Sequence, residues 1–162
     1  MLAQLPTRDG ITYIGLVLNR RGAERAAASG CNEINVVVPV TDDFATRNQN
    51  VTVDQMVEAT AASTAIARDA GMRVSVSLAV AFGCPFAGEV TIEEVAKLVD
   101  RVADLGVDEL GFADTIGVGV PSQVREMAAL VANDPRVPAF RFHFHNTRNT
   151  GYANAAAVVY GH

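Results

Sequence analysis

Two histidines, His143 and His145, are separated by one residue in a stretch where aromatic and polar side chains alternate. In a β-strand, successive side chains point to opposite faces. Both imidazoles and Arg141 would therefore share one face, and the phenylalanines of the stretch would share the other. Two imidazoles that point the same way can bind one metal ion, although two ligands do not complete a site. The spacing predicts a metal site, and the alternative is a pair of hydrogen-bonded histidines on a polar edge strand.

A carboxylate, Asp114, ends another candidate strand and is followed by a glycine-rich turn that enters a helix. Active sites of parallel α/β folds lie at the C-terminal ends of strands, so we expect this carboxylate to face the same mouth as the histidines. The alternative is a loop carboxylate that accepts hydrogen bonds from backbone amides. Gly117 and Gly119 could also hold a phosphate before the helix, but the segment lacks a full dinucleotide-binding pattern.

The two cysteines give weaker evidence of a functional role than the histidines and Asp114. Cys84 could act as a nucleophile, but no histidine neighbours it in sequence, and the glycines and proline around it favour a shaped turn. Cys31 follows a helix-ending glycine and is typical of small buried residues. On pattern alone, Asn19 and residues 48–50 are ordinary turn residues.

Short apolar runs rich in valine and isoleucine alternate with longer alanine-rich runs. This alternation predicts strands at Thr12–Leu18, Glu33–Pro39, Arg73–Ala79, Glu109–Ala113 and Phe140–His145. It predicts helices at about 20–29, 53–70, 92–105, 122–132 and from about 151, with the boundaries uncertain by a few residues. Strict alternation means a parallel sheet. An open doubly wound sheet fits 162 residues, whereas a complete (β/α)8 barrel needs about 250, so the chain could also be part of a barrel.

Length, charge and composition narrow the function classes. The chain has 162 residues, of which 49% are apolar, and a net charge of −5. One domain is expected, and an acidic balance argues against a nucleic-acid partner held by bulk charge. No apolar run reaches the roughly 18 residues of a membrane span. Two cysteines do not make a disulfide framework, so we expect a cytoplasmic protein.

Taken together and in order, these segments resemble 3-hydroxy-3-methylglutaryl-CoA lyases of the DRE-TIM metallolyase family. The resemblance spans nearly the whole chain, and its most specific parts are the Gly-Cys-Pro segment and the Asp-Thr-Ile-Gly-Val-Gly segment followed by His-x-His. The His-x-His pair alone also occurs in isopropylmalate, homocitrate and citramalate synthases. The matching segments are residues 10–13, 18–24, 48–52, 83–88, 114–119 and 143–147.

The resemblance implies a (β/α)8 TIM barrel, of which residues 1–162 would form a single partial domain covering the third to seventh strands. It implies a divalent metal, Mg or Mn, bound by His143 and His145, with His143 also transferring a proton. Asp114 would assist as a base at the mouth. Asn19 and Thr115 are weaker candidates for contact with an acyl-CoA substrate.

Two residues depart from the family pattern beside the histidines. Asn146 stands where many members have aspartate, and Asn149 stands where glycine is expected. We expect the asparagine at position 149 to alter the loop beside the metal.

The activity implied is metal-dependent retro-Claisen cleavage of 3-hydroxy-3-methylglutaryl-CoA to acetoacetate and acetyl-CoA. Family ligands from the first strand and after the seventh have no counterpart in this sequence, so we expect the chain by itself to be inactive. One alternative is a related Claisen-type synthase. Another is a non-catalytic segment that associates through open sheet edges, for example as a homo-oligomer.

Overall fold

A computed structural model describes residue 5 and residues 9–160. Strands and helices alternate along this part of the chain, as the sequence predicts. The strands are β1 (Ile14–Val17), β2 (Glu33–Pro39), β3 (Arg73–Ala79), β4 (Glu109–Asp114) and β5 (Phe140–Phe144). The helices are α1 (Arg20–Ala27), α2 (Asp42–Gln49), α3 (Val53–Asp69), α4 (Ile92–Ala103), α5 (Pro121–Val131) and α6 (Gly151–Tyr160).

The five strands form one parallel sheet in the order β1-β2-β3-β4-β5. A doubly wound sheet requires a point at which the strand order reverses, so that helices cover both faces. No reversal occurs among the described strands. Right-handed crossovers that always step in the same direction place the helices on one side of the sheet. The open doubly wound alternative is therefore wrong, and the sheet is a segment of a (β/α)8 barrel.

The two faces of the sheet have different compositions. Alternate residues of the central strands are apolar and fully buried beneath the helices: Ile34, Val36, Val38, Val74, Val76, Leu78, Leu110 and Phe112. The residues between them form the opposite face, which would line the barrel interior and which we call the inner face. Small and polar side chains dominate its centre: Asn35, Ser75, Ser77, Gly111 and Arg141.

Local signals place the helix ends. Thr52 and Thr91 each start a helix with the predicted capping box, in which the threonine hydroxyl and the side chain three residues later satisfy free amides. Pro121 lies at the start of α5, where its missing N–H costs nothing. The longest described helix, α3, has 17 residues, and no described helix is long and apolar enough to cross a membrane.

One helix, α2, is absent from the sequence-based prediction. Thr41 caps it by accepting a hydrogen bond from the Phe44 N–H, and Asp42 and Asp43 occupy its first turn, where carboxylates favour the helix dipole. Asn50 ends it in a left-handed conformation with φ 56°. The interpretation of residues 48–50 as a turn is therefore wrong for the first two of them. The Thr-Asp-Asp start was the signal that could have revealed this helix.

Candidate active site

The last strand places the two histidines. Phe142 points towards the helices and stacks on Phe112, with ring centroids 5.3 Å apart. His143 alternates with it and pairs in register with Ala113 on the inner face. The predicted division of β5 into an aromatic face and a polar face is confirmed.

His143 and His145 lie together at the C-terminal end of β5. Their ring centroids are 5.1 Å apart and the ring planes meet at 60°. Both residues are exposed, and neither ring makes a hydrogen bond to any residue that the structure describes. Among the described residues no hydrogen bond supports the alternative of two hydrogen-bonded histidines, although β5 is an edge strand of the sheet, as that alternative expected. Two adjacent imidazole rings with free nitrogens can bind one metal ion between them. The bonds from a zinc ion to such nitrogens, for comparison, are about 2.0–2.1 Å long.

The two histidines have no third protein ligand beside them among the described residues. Across residue 5 and residues 9–160, no group of three or more histidine, cysteine, aspartate or glutamate side chains is arranged to hold a metal. These residues could therefore supply two positions of a coordination shell. Water and substrate oxygens commonly fill other positions around Mg²⁺.

An open cavity of about 420 Å³ lies against the inner face beside the histidines. It is the size of a small-molecule site. Ten further residues line it: Asn35, Val37, Phe44, Asn48, Ser77, Ala79, Ala113, Thr115, Arg141 and Phe142. The structure thus brings Thr115 together with both histidines at one cavity, as expected for strand ends that meet at one rim.

Asp114 lies on the other side of the sheet. It follows Ala113 in β4, pairs in register with Phe144, and is fully buried. Its two carboxylate oxygens accept hydrogen bonds from the N–H groups of Val118 and Gly119, at 2.9 and 3.0 Å. The predicted orientation towards the histidines is therefore wrong, because Asp114 is the last residue of the strand and alternation turns it towards the helices. Its contacts are those of the loop carboxylate that was the alternative.

The same contacts argue against the phosphate site that the sequence suggested at Gly117 and Gly119. The N–H groups of Val118 and Gly119 already bind the Asp114 carboxylate. A phosphate at this helix start would have to displace a buried anion. The glycines are instead needed for close packing: a Cβ on Gly117 would lie 2.8 Å from the Thr147 side chain, and one on Gly119 would lie 2.8 Å from the Phe82 ring.

Thr115 connects the ends of two strands. Its hydroxyl oxygen accepts a hydrogen bond of 2.8 Å from the N–H of Val80. Val80 is buried and has a φ of 54°, a conformation that β-branched residues rarely adopt. Such strain persists only where surrounding contacts enforce it, and it clusters at functional sites. The Thr115 hydroxyl keeps its own proton available for a ligand in the cavity.

Asn19 does not line the cavity. It is exposed and caps α1, where its side-chain oxygen accepts a hydrogen bond of 3.0 Å from the Gly22 N–H. The sequence-based interpretation of Asn19 as an ordinary turn residue did not include this capping role. Its side-chain amide group remains free to donate to a ligand above the strand ends.

Cys84 is buried in the turn that follows β3. Its sulfur accepts hydrogen bonds from the Thr41 hydroxyl at 3.2 Å and from the N–H groups of Phe86 and Ala87 at 3.5 and 3.4 Å. These contacts close a tight loop that is also held by two backbone hydrogen bonds between Cys84 and Gly88. The interpretation as a shaped turn is confirmed.

The two residues that depart from the family pattern, Asn146 and Asn149, lie in the loop between β5 and α6. Asn149 has a φ of 61°, a left-handed conformation that glycine and asparagine both tolerate. The side-chain oxygen of Asn146 accepts a hydrogen bond of 3.1 Å from Gly151 N–H at the start of α6, a contact that aspartate could also make. That Asn149 alters the loop relative to other family members stays a prediction.

A polar network beneath the histidines was not predicted. Asn35 donates to Ser75 and Ser77 at 3.0 and 3.1 Å, and Ser75 donates to the buried Glu33 at 2.6 Å. Arg141 contacts the same Ser75. Polar residues at alternate positions of otherwise apolar strands were the available signal, but the pairing depends on strand register.

The sequence of this chain is similar to a known family and to individual proteins of known function. Residues 4–161 match the HMGL-like family. A hydroxymethylglutaryl-CoA lyase of Pseudomonas mevalonii is 36% identical over 159 residues, which are 98% of this chain and 53% of that protein. An (R)-citramalyl-CoA lyase of Chloroflexus aurantiacus is 38% identical over 97% of this chain and 50% of its own length. The chain thus spans about half the length of these curated relatives.

The fold is also similar to that of solved lyase structures. The hydroxymethylglutaryl-CoA lyase of Pseudomonas aeruginosa superimposes with a TM-score of 0.89 at 31% identity, over 98% of this chain and 53% of that one. An HMG-CoA lyase of Acinetobacter baumannii, solved in complex with coenzyme A and 3-methylmalate, gives a TM-score of 0.89 at 29% identity, covering 98% and 52%. The sheet therefore matches part of a TIM barrel. By its sequence over almost its whole length, the chain belongs to the HMGL-like family.

Proposed function

We propose that this chain forms the metal-binding part of a lyase that cleaves 3-hydroxy-3-methylglutaryl-CoA to acetoacetate and acetyl-CoA. The observation that carries the proposal is the pair of exposed imidazoles beside the cavity, with ring centroids 5.1 Å apart and no hydrogen bond to the described residues. The relatives that bear this name, at 36% identity in one case, support the choice of reaction.

His143 and His145 would hold a divalent cation, Mg²⁺ or Mn²⁺, through one nitrogen of each ring. When bound, such a cation lowers the pKa of a hydroxyl or water on it and stabilises negative charge on oxygen. Only two ligands come from the described residues, so the remaining positions would belong to water, substrate and other parts of the protein.

The reaction begins with removal of the proton from the tertiary 3-hydroxyl group. The bond between C2 and C3 then breaks, C3 becomes the ketone of acetoacetate, and the electron pair of the bond forms the enolate of acetyl-CoA. Protonation of that enolate completes the reaction. We propose that His143 transfers a proton during this reaction through the ring nitrogen that is not a metal ligand. General acid–base catalysis of this kind typically raises the reaction rate about 10²–10⁴-fold.

The neighbouring residues would position the reacting groups. The Thr115 hydroxyl lines the cavity and can donate to a substrate oxygen, and Asn19 offers a side-chain amide on the loop after β1. Asp114 is proposed to act through the loop that it holds, and not as a base, because its oxygens are buried on backbone N–H groups.

A second candidate is cleavage of a citramalyl-CoA type of substrate. A citramalyl-CoA lyase is 38% identical to this chain over 160 residues. Both reactions break a carbon–carbon bond next to an oxygen-bearing carbon and release an acetyl-CoA enolate. The shared half of the barrel therefore supports either substrate.

A hybrid barrel tests the proposed reaction. The corresponding half of the Pseudomonas mevalonii lyase would be replaced by this chain, and acetoacetate release from 3-hydroxy-3-methylglutaryl-CoA would be measured with Mg²⁺ or Mn²⁺. We expect turnover that falls at least about 100-fold in His143→Asn, as expected for the loss of general acid–base catalysis. The unsubstituted 162-residue chain should release no acetoacetate and bind these metals weakly.

Three results would contradict the proposal. One is a folded hybrid, verified by circular dichroism, that cleaves only citramalyl-CoA, which would favour the second candidate. Another is condensation of acetyl-CoA with a 2-oxo acid, which would indicate a synthase. A third is full turnover in the His143→Asn hybrid, which would remove the histidine from the chemistry.

A further inference from the structure

Arg141 is the cationic side chain of the cavity. It precedes His143 by two residues on the same face of β5, so its Cα lies about 7 Å along the strand from that of the histidine. Among the described residues that line the cavity, Arg141 is the one permanent cation and none is a carboxylate. An anionic group of a ligand would therefore be attracted to the end of the cavity below the histidines.

The neighbouring strand makes space for this side chain. Gly111 pairs in register with Arg141, and a Cβ at that position would lie 3.4 Å from both Cγ and Nε of the arginine. The same Cβ would lie 3.2 Å from the Ser77 hydroxyl. A side chain here would therefore crowd the Ser77 hydroxyl and contact the arginine, and glycine leaves this space open.

The guanidinium retains unused hydrogen-bond donors. Nη1 binds Glu109 at 3.0 Å, and Nη2 makes a long contact of 3.5 Å with Ser75. An arginine has five N–H groups. Three of them thus have no partner within the described residues, and the side chain is 36% exposed at the cavity.

The guanidinium lies against the side chains of Asn35, Ser75 and Ser77, which we call the floor of the cavity. Asn35 bridges Ser75 and Ser77 across two strands, and Ser75 is itself held by Glu33. Since Asn35 and Ser77 use their donors on each other, they hold the floor in place and leave ligand binding to the arginine.

We propose that Arg141 binds the free carboxylate on the acyl group of the substrate. The inference rests on the proposed function and deepens it: the site would select 3-hydroxyacyl-CoA thioesters that carry a free carboxylate over those that end in a methyl group. A planar guanidinium with spare donors matches a carboxylate in two parallel hydrogen bonds. Glu109 competes for the same cation and limits the affinity.

Titration of the 162-residue chain tests this, because every residue of the floor lies within it. The probes are 3-hydroxy-3-methylglutaryl-CoA and 3-hydroxy-3-methylbutyryl-CoA, in which a methyl group replaces the carboxymethyl group. Binding is measured by calorimetry and by the NMR signal of the Arg141 Nε–H. We expect the dicarboxylic acyl group to bind about tenfold or more tightly, as charge-assisted hydrogen bonds allow.

Three variants separate recognition from structure. Arg141→Met should abolish the preference, and Glu109→Gln should increase it by freeing the guanidinium. Arg73→Met is the matched control, because Arg73 lies on the same face, contacts Glu33 at 4.0 Å and does not line the cavity. It should leave the preference unchanged.

Equal binding of the two thioesters, no binding of either, or a preference that survives Arg141→Met in a folded variant would overturn the inference. Failure of the proposed function is a separate result, because it concerns the metal. Mn²⁺ added to the same samples reports on the histidines, and broadening of their ring signals is independent of Arg141.

Discussion

The two faces of the sheet differ in what their side chains do. On the helix side, Phe112 is fully buried and stacks with Phe142, and these rings join a continuous apolar core. On the inner face, Asn35 and Ser77 hydrogen-bond across strands beside an open cavity. Alternate residues of the same strands thus build either the core or the site.

This division predicts different consequences for substitutions one residue apart. Phe112 and the other fully buried core side chains do not line the cavity, so their replacement should lower stability without changing ligand preference. Inner-face residues are partly exposed or hydrogen-bonded, so their replacement should affect binding first. Asp114 is a test of the boundary, because its carboxylate lies on the core side while its neighbour Thr115 lines the cavity.

The largest effect is expected from Phe112→Ala. Removing a fully buried aromatic ring leaves a cavity that the surrounding core cannot fill, which costs about 3–5 kcal/mol of unfolding free energy. Urea denaturation followed by circular dichroism measures this loss. A loss below about 1 kcal/mol would contradict the division of the two faces, because it is the size expected of a surface position.

Asp114→Asn should cost less. The carboxylate accepts hydrogen bonds from the partly buried Val118 N–H and the buried Gly119 N–H, and an amide can accept only through its oxygen, so about 1–3 kcal/mol should be lost. Asp43→Asn, an exposed change in the first turn of α2, is the control and should cost about 0.5 kcal/mol. Equal effects in the two variants would show that the Asp114 contacts do not hold the loop.

An acid-dependent effect is expected at the opposite end of the strands. Burial by itself raises the pKa of Asp108. Hydrogen bonds from the Val74 N–H and the Arg68 guanidinium, at 2.7 and 2.9 Å, lower it by more than burial raises it, so the pKa lies below its ordinary value. The folded protein therefore gains stability from the ionised carboxylate at neutral pH. This gain is lost as the pH falls from the unfolded pKa through the lower, folded one.

Asp108→Asn should remove that dependence. Urea denaturation at pH 7 and at pH 3 should show a smaller acid-induced loss in the variant than in the unsubstituted chain, by less than about 1 kcal/mol because the ion pair is partly exposed. An identical pH dependence of the two proteins would exclude a lowered pKa at this carboxyl group.

The smallest effect is expected from Leu16→Ser on the inner face of β1. Leu16 is 68% exposed and aligns with Asn35 in register. Little apolar area is lost, so the unfolding free energy should change by no more than about 0.5 kcal/mol. A larger loss would indicate that a second molecule or another segment covers this face in solution, which size-exclusion chromatography would detect.

The sequence predicted the elements well because apolar alternation and capping residues are local signals. Thr52 and Thr91 start helices as expected, and His143 lies on the predicted face of its strand. The orientation of Asp114 was missed because β4 extends one residue further than predicted, so Asp114 still alternates with Ala113 and points to the opposite face. The contact of Arg141 with Ser75 depends on residues 66 apart and on strand register, which no local pattern specifies.

The central claim is that His143 and His145 act as one ligand pair on the inner face. The most direct test is the NMR spectrum of histidine ring protons during titration of the chain with Mn²⁺, with assignments from His143→Asn and His145→Asn. The pair predicts that both signals broaden together at low Mn²⁺ and that loss of either ring protects the other. Broadening of one ring regardless of the other, or of neither ring, would contradict the account.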